Sequence, residues 1–129
     1  MPLTNMTILE VDDCEAQNYA LTRMLEKAGC KVLRAFTGSE ALALASEKPD
    51  AVLLDINLPD INGFEVCRRL KSDPTTSGIP VVFLTAIYDA SAKAMAESVG
   101  AKTLLHYPVE EAQLHAVLEG QIYQARLPK

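Results

Sequence analysis

The sequence predicts an α/β domain in which a five-stranded parallel sheet is covered by helices on both faces. Two observations carry this. Short leucine- and β-branched-rich runs alternate five times with amphipathic segments along the 129 residues, and such alternation forces parallel strands joined by right-handed crossovers. The runs are also near-continuously apolar instead of alternating, the pattern of strands covered on both faces.

The strands are expected at Thr7–Val11, Lys31–Phe36, Ala51–Leu54, Val81–Leu84 and Thr103–Leu105. Between them, Leu21, Met24, Leu25 and Ala28 fall at the spacing of one helix face, as do Ala92, Met95, Ala96 and Val99. Leu114, Val117, Leu118 and Ile122 form a similar stripe on the last helix. Thr37 with Glu40, and Asn62 with Glu65, have the spacing of a capping box at a helix start. Gly29 and Gly100 fall where helices should end in a left-handed residue. Pro49, Pro74 and Pro80 lie in connections, where a missing N–H costs little. No repeat or linker interrupts residues 1–129, which read as one domain with Leu127–Lys129 as a tail.

Composition narrows the function classes. Hydrophobic residues make up 49% and charged ones 22%, an ordinary globular balance. A net charge of −5 is the wrong sign for a nucleic-acid surface. The longest apolar runs fall far short of the ~20 residues a membrane span needs. Met1–Met6 lacks the basic start and apolar core of a signal peptide, so a cytoplasmic location is expected. Cys14, Cys30 and Cys67 are odd in number with no Cys-x-x-Cys spacing, which suggests neither a disulfide framework nor a zinc site.

In open parallel sheets, ligands gather outside the carboxyl ends of the strands, where strand order reverses. After the first strand come Asp12 and Asp13, and after the third comes Asp55. Thr85 follows the fourth, and His106, Tyr107 and Pro108 follow the fifth. At ~4 Å and an effective dielectric near 20, each like-charged pair repels by about 4 kcal/mol. Such a cluster holds protons or binds a cation, and an incomplete shell of hard oxygens suits Mg²⁺. A carboxylate beside such an ion can attack a phosphoryl group, because the metal neutralises the approaching charges. Asp55, alone at the end of an apolar strand, is the natural nucleophile, with Asp12 and Asp13 as metal ligands. The competing reading is that Asp12 or Asp13 merely caps the following helix, a fair competitor for Asp13 that can coexist with metal binding.

Val11-Asp12-Asp13, the run Leu54-Asp55-Ile56-Asn57-Leu58-Pro59-Asp60-Ile61-Asn62-Gly63-Phe64-Glu65, and Phe83-Leu84-Thr85-Ala86 together resemble the receiver domain of two-component response regulators. The resemblance runs from Met6 to about Arg126. It implies the flavodoxin-like (βα)₅ fold with strand order 2-1-3-4-5, and a phosphorelay signalling module instead of a conventional enzyme. Asp55 would take a phosphoryl group from a phosphohistidine on a sensor histidine kinase or phosphotransfer protein. Mg²⁺ would be held by Asp12, Asp13, Asp55 and the backbone carbonyl of Asn57, while Thr85 would hydrogen-bond a phosphoryl oxygen. Pro59 and Gly63 would shape the loop beside the acceptor.

Two positions depart from the family. The lysine expected before the proline after the fifth strand is Tyr107, and the switch aromatic expected within that strand is Leu104. A lysine would directly oppose the charge of a phosphoryl group, whereas Tyr107 offers a neutral O–H. Weakened coupling to the face of the fourth helix, fifth strand and fifth helix is therefore expected. That face carries Lys93, Glu97, Lys102, Glu110 and Glu111, which permits homodimer pairing. Loss of the lysine, with Pro108-Val109-Glu110-Glu111 following, resembles receivers embedded in hybrid sensor kinases.

The competing reading is a pseudo-receiver that serves as an interaction or dimerisation platform independent of phosphorylation. An aspartate-nucleophile phosphohydrolase would want a second acid where Asn57 stands. A nucleotide or flavin binder would want a glycine-rich loop in place of Cys14-Glu15-Ala16-Gln17.

Glu10, inside the first strand, is expected to reach an edge and pair with Lys31 or Arg34. His106 reads as a solvated loop residue and His115 as a surface one. The Tyr107–Pro108 bond is expected to be cis, following the family's Lys–Pro bond.

Overall fold

The computed structural model describes residues 2–87 and 89–128. Lys129, the last residue of the expected tail, lies outside them, as does Met1 at the start of the Met1–Met6 segment. The elements are β1 (Thr7–Val11), α1 (Glu15–Lys27), β2 (Lys31–Ala35), α2 (Gly38–Leu44), β3 (Ala51–Asp55), α3 (Gly63–Ser72), β4 (Val81–Thr85), α4 (Ala90–Ser98), β5 (Thr103–His106) and α5 (Glu111–Ala125). A short 3-10 turn, Ala45–Glu47, follows α2. All strand pairs are parallel, in the order β2-β1-β3-β4-β5. This is the flavodoxin-like fold, with the reversal of strand order between β1 and β3.

Alternation along the strands divides the core in two. Leu9, Val11, Val52, Leu54 and Phe83 face one side, with Ala41 of α2, Val66 and Leu70 of α3, and Ala96 of α4 against them. Ile8, Leu53, Val82, Leu84 and Leu105 face the other side, under Leu21 and Leu25 of α1 and Leu114, Leu118 and Ile122 of α5. Phe64 and Phe83 stack at a tilt, ring centroids 5.1 Å apart.

Strand ends differ from expectation in a way that matters for the site. β3, β4 and β5 each run one residue further, because Asp55 pairs with Leu84 and Thr85 with His106 in the ladder. Asp55 and Thr85 are thus fixed by sheet backbone, and His106 belongs to β5 instead of a loop. β2 stops at Ala35, one residue early, because the Phe36 N–H donates to Glu40 Oε1 at 2.8 Å.

The caps form as spaced, with changes. Thr37 Oγ1 accepts from the Glu40 N–H at 3.0 Å, while the Glu40 carboxylate reaches one residue further back than a capping box requires. Asn62 Oδ1 accepts from the Glu65 N–H at 2.9 Å, but the Glu65 carboxylate turns instead to Arg68 and Arg69. Gly29 (φ 88°) and Gly100 (φ 95°) end α1 and α4 in the left-handed region, as expected.

Three expectations are corrected by the structure. Met95 is 48% exposed, and within its stripe only Ala96 is fully buried, so α4 covers the sheet along a narrow line. His115 is half-buried, with Nε2 2.9 Å from the Met24 carbonyl oxygen, and so joins α5 to α1. Glu10 reaches no edge, because β1 lies between β2 and β3. It is fully enclosed beneath α1, where Thr22 Oγ1 donates to its Oε1 at 2.7 Å. Arg34, its ladder neighbour, instead donates from Nε to Asn18 Oδ1 at 2.7 Å. The Tyr107–Pro108 peptide is cis, as expected.

Candidate functional site

At the switch point, the ladder pair Val11 and Leu54 is followed on β1 by Asp12 and Asp13 and on β3 by Asp55. One carboxylate oxygen from each of these three residues lies within 4.8 Å of the others. Asp12 is buried, Asp55 half-buried and Asp13 exposed, so the cluster opens to solvent on one side.

Each acid is held differently. The Asp12 backbone N–H donates to the Ala35 carbonyl at 3.1 Å, and its Oδ1 accepts from the Cys14 N–H at 2.9 Å. Asn18, fully buried on α1, donates from Nδ2 to the carbonyls of Asp12 (3.0 Å) and Ala35 (3.2 Å). It brackets the turn that presents both acids, a role hidden in the sequence because Asn18 sits within the apolar stripe of α1. Asp55 Oδ1 receives a long contact, 3.4 Å, from the Asn57 N–H. Gly63 closes the neck of the following loop, donating its N–H to the Ile56 carbonyl at 2.6 Å. A Cβ there would lie 2.2 Å from the Asp55 carbonyl oxygen, so this closure needs glycine for space.

The electrostatics match the geometry. Burial, followed by the negative charge of Asp12, pushes Asp55 up to about 6, against the pull of the Asn57 and Ile56 N–H groups. Asp12 is likewise raised by burial, with Asp13 adding to the rise. Among the described residues, no ion pair joins a lysine or arginine to Asp12 or Asp55. The donor set is hard oxygen with an open side, which fits Mg²⁺ and supplies the missing counter-charge.

The remaining expected residues divide. Thr85 is buried, and its Oγ1 both accepts from the Ile87 N–H and donates to the Ile87 carbonyl, each at 3.1 Å. Tyr107 donates its N–H to the Thr85 carbonyl at 2.7 Å, and its half-buried ring packs against the α1–α5 side of the core. His106 Nε2 lies 3.1 Å from the Ala86 carbonyl oxygen. A shallow cleft of about 250 Å³ opens beside Thr85, lined also by Ile56, Asn57, Phe64, Ile87 and Met95. A larger hollow of about 440 Å³ lies at the opposite end of the sheet, around Lys71, Lys102 and Gln121, remote from the acids.

The chain is a doubly wound sheet with an acid cluster at its switch point, and comparison with known proteins gives the family. The response regulator receiver domain profile matches residues 8–119. The chain is 45% identical to protein PilH of Pseudomonas aeruginosa over 118 residues, 88% of this chain and 98% of that one. Among solved structures, chemotaxis protein CheY4 of Vibrio cholerae superposes with a TM-score of 0.86 at 28% identity, covering 92% of this chain and 99% of its own. The receiver domain of sensor histidine kinase PA1611 from Pseudomonas aeruginosa superposes with a TM-score of 0.86 at 25% identity, covering 93% and 99%. That structure holds a magnesium ion in its active-site cleft.

This chain belongs to the response regulator receiver domain family. Receiver domains are signalling modules that act with histidine kinases or phosphotransfer partners and bind Mg²⁺ in an acidic cleft.

Proposed function

We propose that Asp55 accepts a phosphoryl group from a phosphohistidine of a sensor histidine kinase or phosphotransfer protein. A carboxylate oxygen of Asp55 forms the new bond to phosphorus as the P–N bond breaks, and the imidazole nitrogen leaves with the electron pair. Asp12, Asp13, Asp55 and the Asn57 carbonyl would hold Mg²⁺, which supplies positive charge to the phosphoryl oxygens. The chain's own work is to fix the nucleophile at the end of β3, hold the two partner acids through Asn18, and offer the Thr85 hydroxyl once it leaves Ile87. The observation that carries this reading is the convergence of three carboxylates, with no ion pair from a basic side chain to Asp12 or Asp55 among the described residues.

Tyr107 and Leu104 support a weaker read-out at the α4–β5–α5 face, because neither supplies the cation or the mobile aromatic usual in the family. Of the charges on that face, Glu111 is already engaged with Lys27 at 3.3 Å, which leaves Lys93, Glu97, Lys102 and Glu110 for homodimer pairing. The whole of residues 1–129 is read as one such domain.

One observation favours a pseudo-receiver: the Tyr107 ring lies against the α1–α5 core, leaving the usual lysine's role unfilled. Incubation with a radiolabelled phosphohistidine donor protein separates the two readings. The phosphoacceptor reading expects Mg²⁺-dependent label that is absent from Asp55→Asn; an unlabelled wild-type chain supports the pseudo-receiver.

A further inference from the structure

The loop between Asp55 and α3 carries Asn57, whose carbonyl is a metal ligand in the proposed function. Asn57 is exposed, and its N–H makes only the 3.4 Å contact to Asp55. The neck of the loop is closed by the Gly63–Ile56 bond. Its far side is anchored elsewhere. Asp60 Oδ1 accepts from the Gly38 N–H at 2.8 Å, and Oδ2 accepts from the Ser39 N–H at 2.9 Å and the Ser39 hydroxyl at 2.7 Å. These three bonds hold the Asp60 carboxyl far below the usual carboxylate range. Next to them Ile61 lies so close to the start of α2 that a Cβ on Gly38 would meet its Cγ1 at 2.4 Å. Gly38 therefore serves close approach, and the loop is clamped to a different helix from the one it leads into.

We propose that Asp60 is a positioning residue for the metal-binding carbonyl of Asn57, acting by clamping the β3–α3 loop to the first turn of α2. This deepens the phosphoacceptor reading of the site and rests on it. Mg²⁺ tolerates little departure from octahedral geometry, so a backbone ligand on an unanchored loop would lose affinity. Three charge-assisted bonds from one carboxylate fix both the distance and the direction of the loop. The coupling is reciprocal: if the clamp aids Mg²⁺ binding, Mg²⁺ must steady the clamp.

The test is Mg²⁺ titration of the full chain followed by backbone amide NMR, with hydrogen exchange at Gly38 and Ser39. Asp60→Ala is expected to raise the Mg²⁺ Kd by roughly tenfold, as loss of an outer-shell support does. Asp60→Asn, which keeps one acceptor oxygen, should fall between it and wild type. Gly38→Ala, which pushes Ile61 and the adjoining Asp60 away from the first turn of α2, should also raise Kd. In wild type, Mg²⁺ should slow exchange at Gly38 and Ser39. A folded Asp60→Ala chain with an unchanged Kd overturns the clamp, and so does an unchanged Kd in Gly38→Ala should Asp60→Ala fail to fold. Exchange at both amides that is indifferent to Mg²⁺ overturns it as well. A wild-type chain that binds no Mg²⁺ overturns the clamp together with the reading on which it rests.

Discussion

Thr22 on α1 donates its hydroxyl hydrogen to Oε1 of Glu10 on β1 at 2.7 Å, while the other oxygen of this wholly enclosed carboxyl group has no partner among the described residues. Burial pushes Glu10 up to about 8; the Thr22 bond resists this, Asp12 adds to it, and Arg34 opposes it weakly. The folded chain thus keeps a proton that the unfolded chain releases near the ordinary value of 4.5. Stability held below that value is lost as pH rises toward 8. Glu10→Gln, which mimics the protonated acid, should stabilise the chain by about 2 kcal/mol at pH 8 and much less at pH 5. Urea denaturation at the two pH values checks this.

Asp55 has the same sign, raised from 3.8 to about 6, so the metal-free chain should also lose stability between those values. Mg²⁺ should reverse that loss by binding the ionised cluster. At ten times Kd it should add about 1.4 kcal/mol near pH 7.5 and distinctly less at pH 5. Asp13→Asn should remove most of the gain. Thermal melts with and without Mg²⁺ measure it.

In the proposed function, Tyr107 stands where the resemblance implies a lysine. Under the proposed function Tyr107→Lys brings a cation toward the acid cluster, so it should lower the Asp55 pKa from about 6. After treatment with a phosphodonor it should also enlarge the amide shifts across α4, β5 and α5 relative to wild type. Carboxyl-carbon NMR titration and amide mapping give the two readouts. Wild-type shifts across that face that are already large and saturating would contradict the weakened coupling.

Two glycines make a contrasting pair. Gly63→Ala would set a methyl group 2.2 Å from a backbone oxygen of Asp55, so the loop or the strand must move. A loss of about 2–4 kcal/mol is expected. Gly120→Ala meets nothing within 4 Å in the middle of α5, and should gain about 0.5–1 kcal/mol from helix propensity. Urea midpoints distinguish them.

The sheet was legible because its strands are apolar on both faces and its turns carry glycine, proline and capping residues at fixed offsets. The acids were legible because a parallel sheet gathers its chemistry at the carboxyl ends of its strands, where Asp12, Asp13 and Asp55 stand. Side-chain partnerships across elements were not. Glu10 finds Thr22 and Asn18 finds two carbonyls only because α1 lies across β1 at one rotation, which periodicity does not fix. Asp60 shows no role until α2 is placed beside it. Met95 obeys the helical spacing yet stays exposed, since a spacing says which residues share a face and not how much of that face is covered.

Everything proposed for this site turns on Asp55 acting as a nucleophile toward phosphorus with a divalent ion at its side. Intact-mass analysis after incubation with a small acyl phosphate tests it most directly. The expected result is one added phosphate that requires Mg²⁺, is lost in acid and in base, and is absent from Asp55→Asn. A wild-type chain that keeps its original mass under these conditions, or an Asp55→Asn chain that gains the same increment, would contradict it.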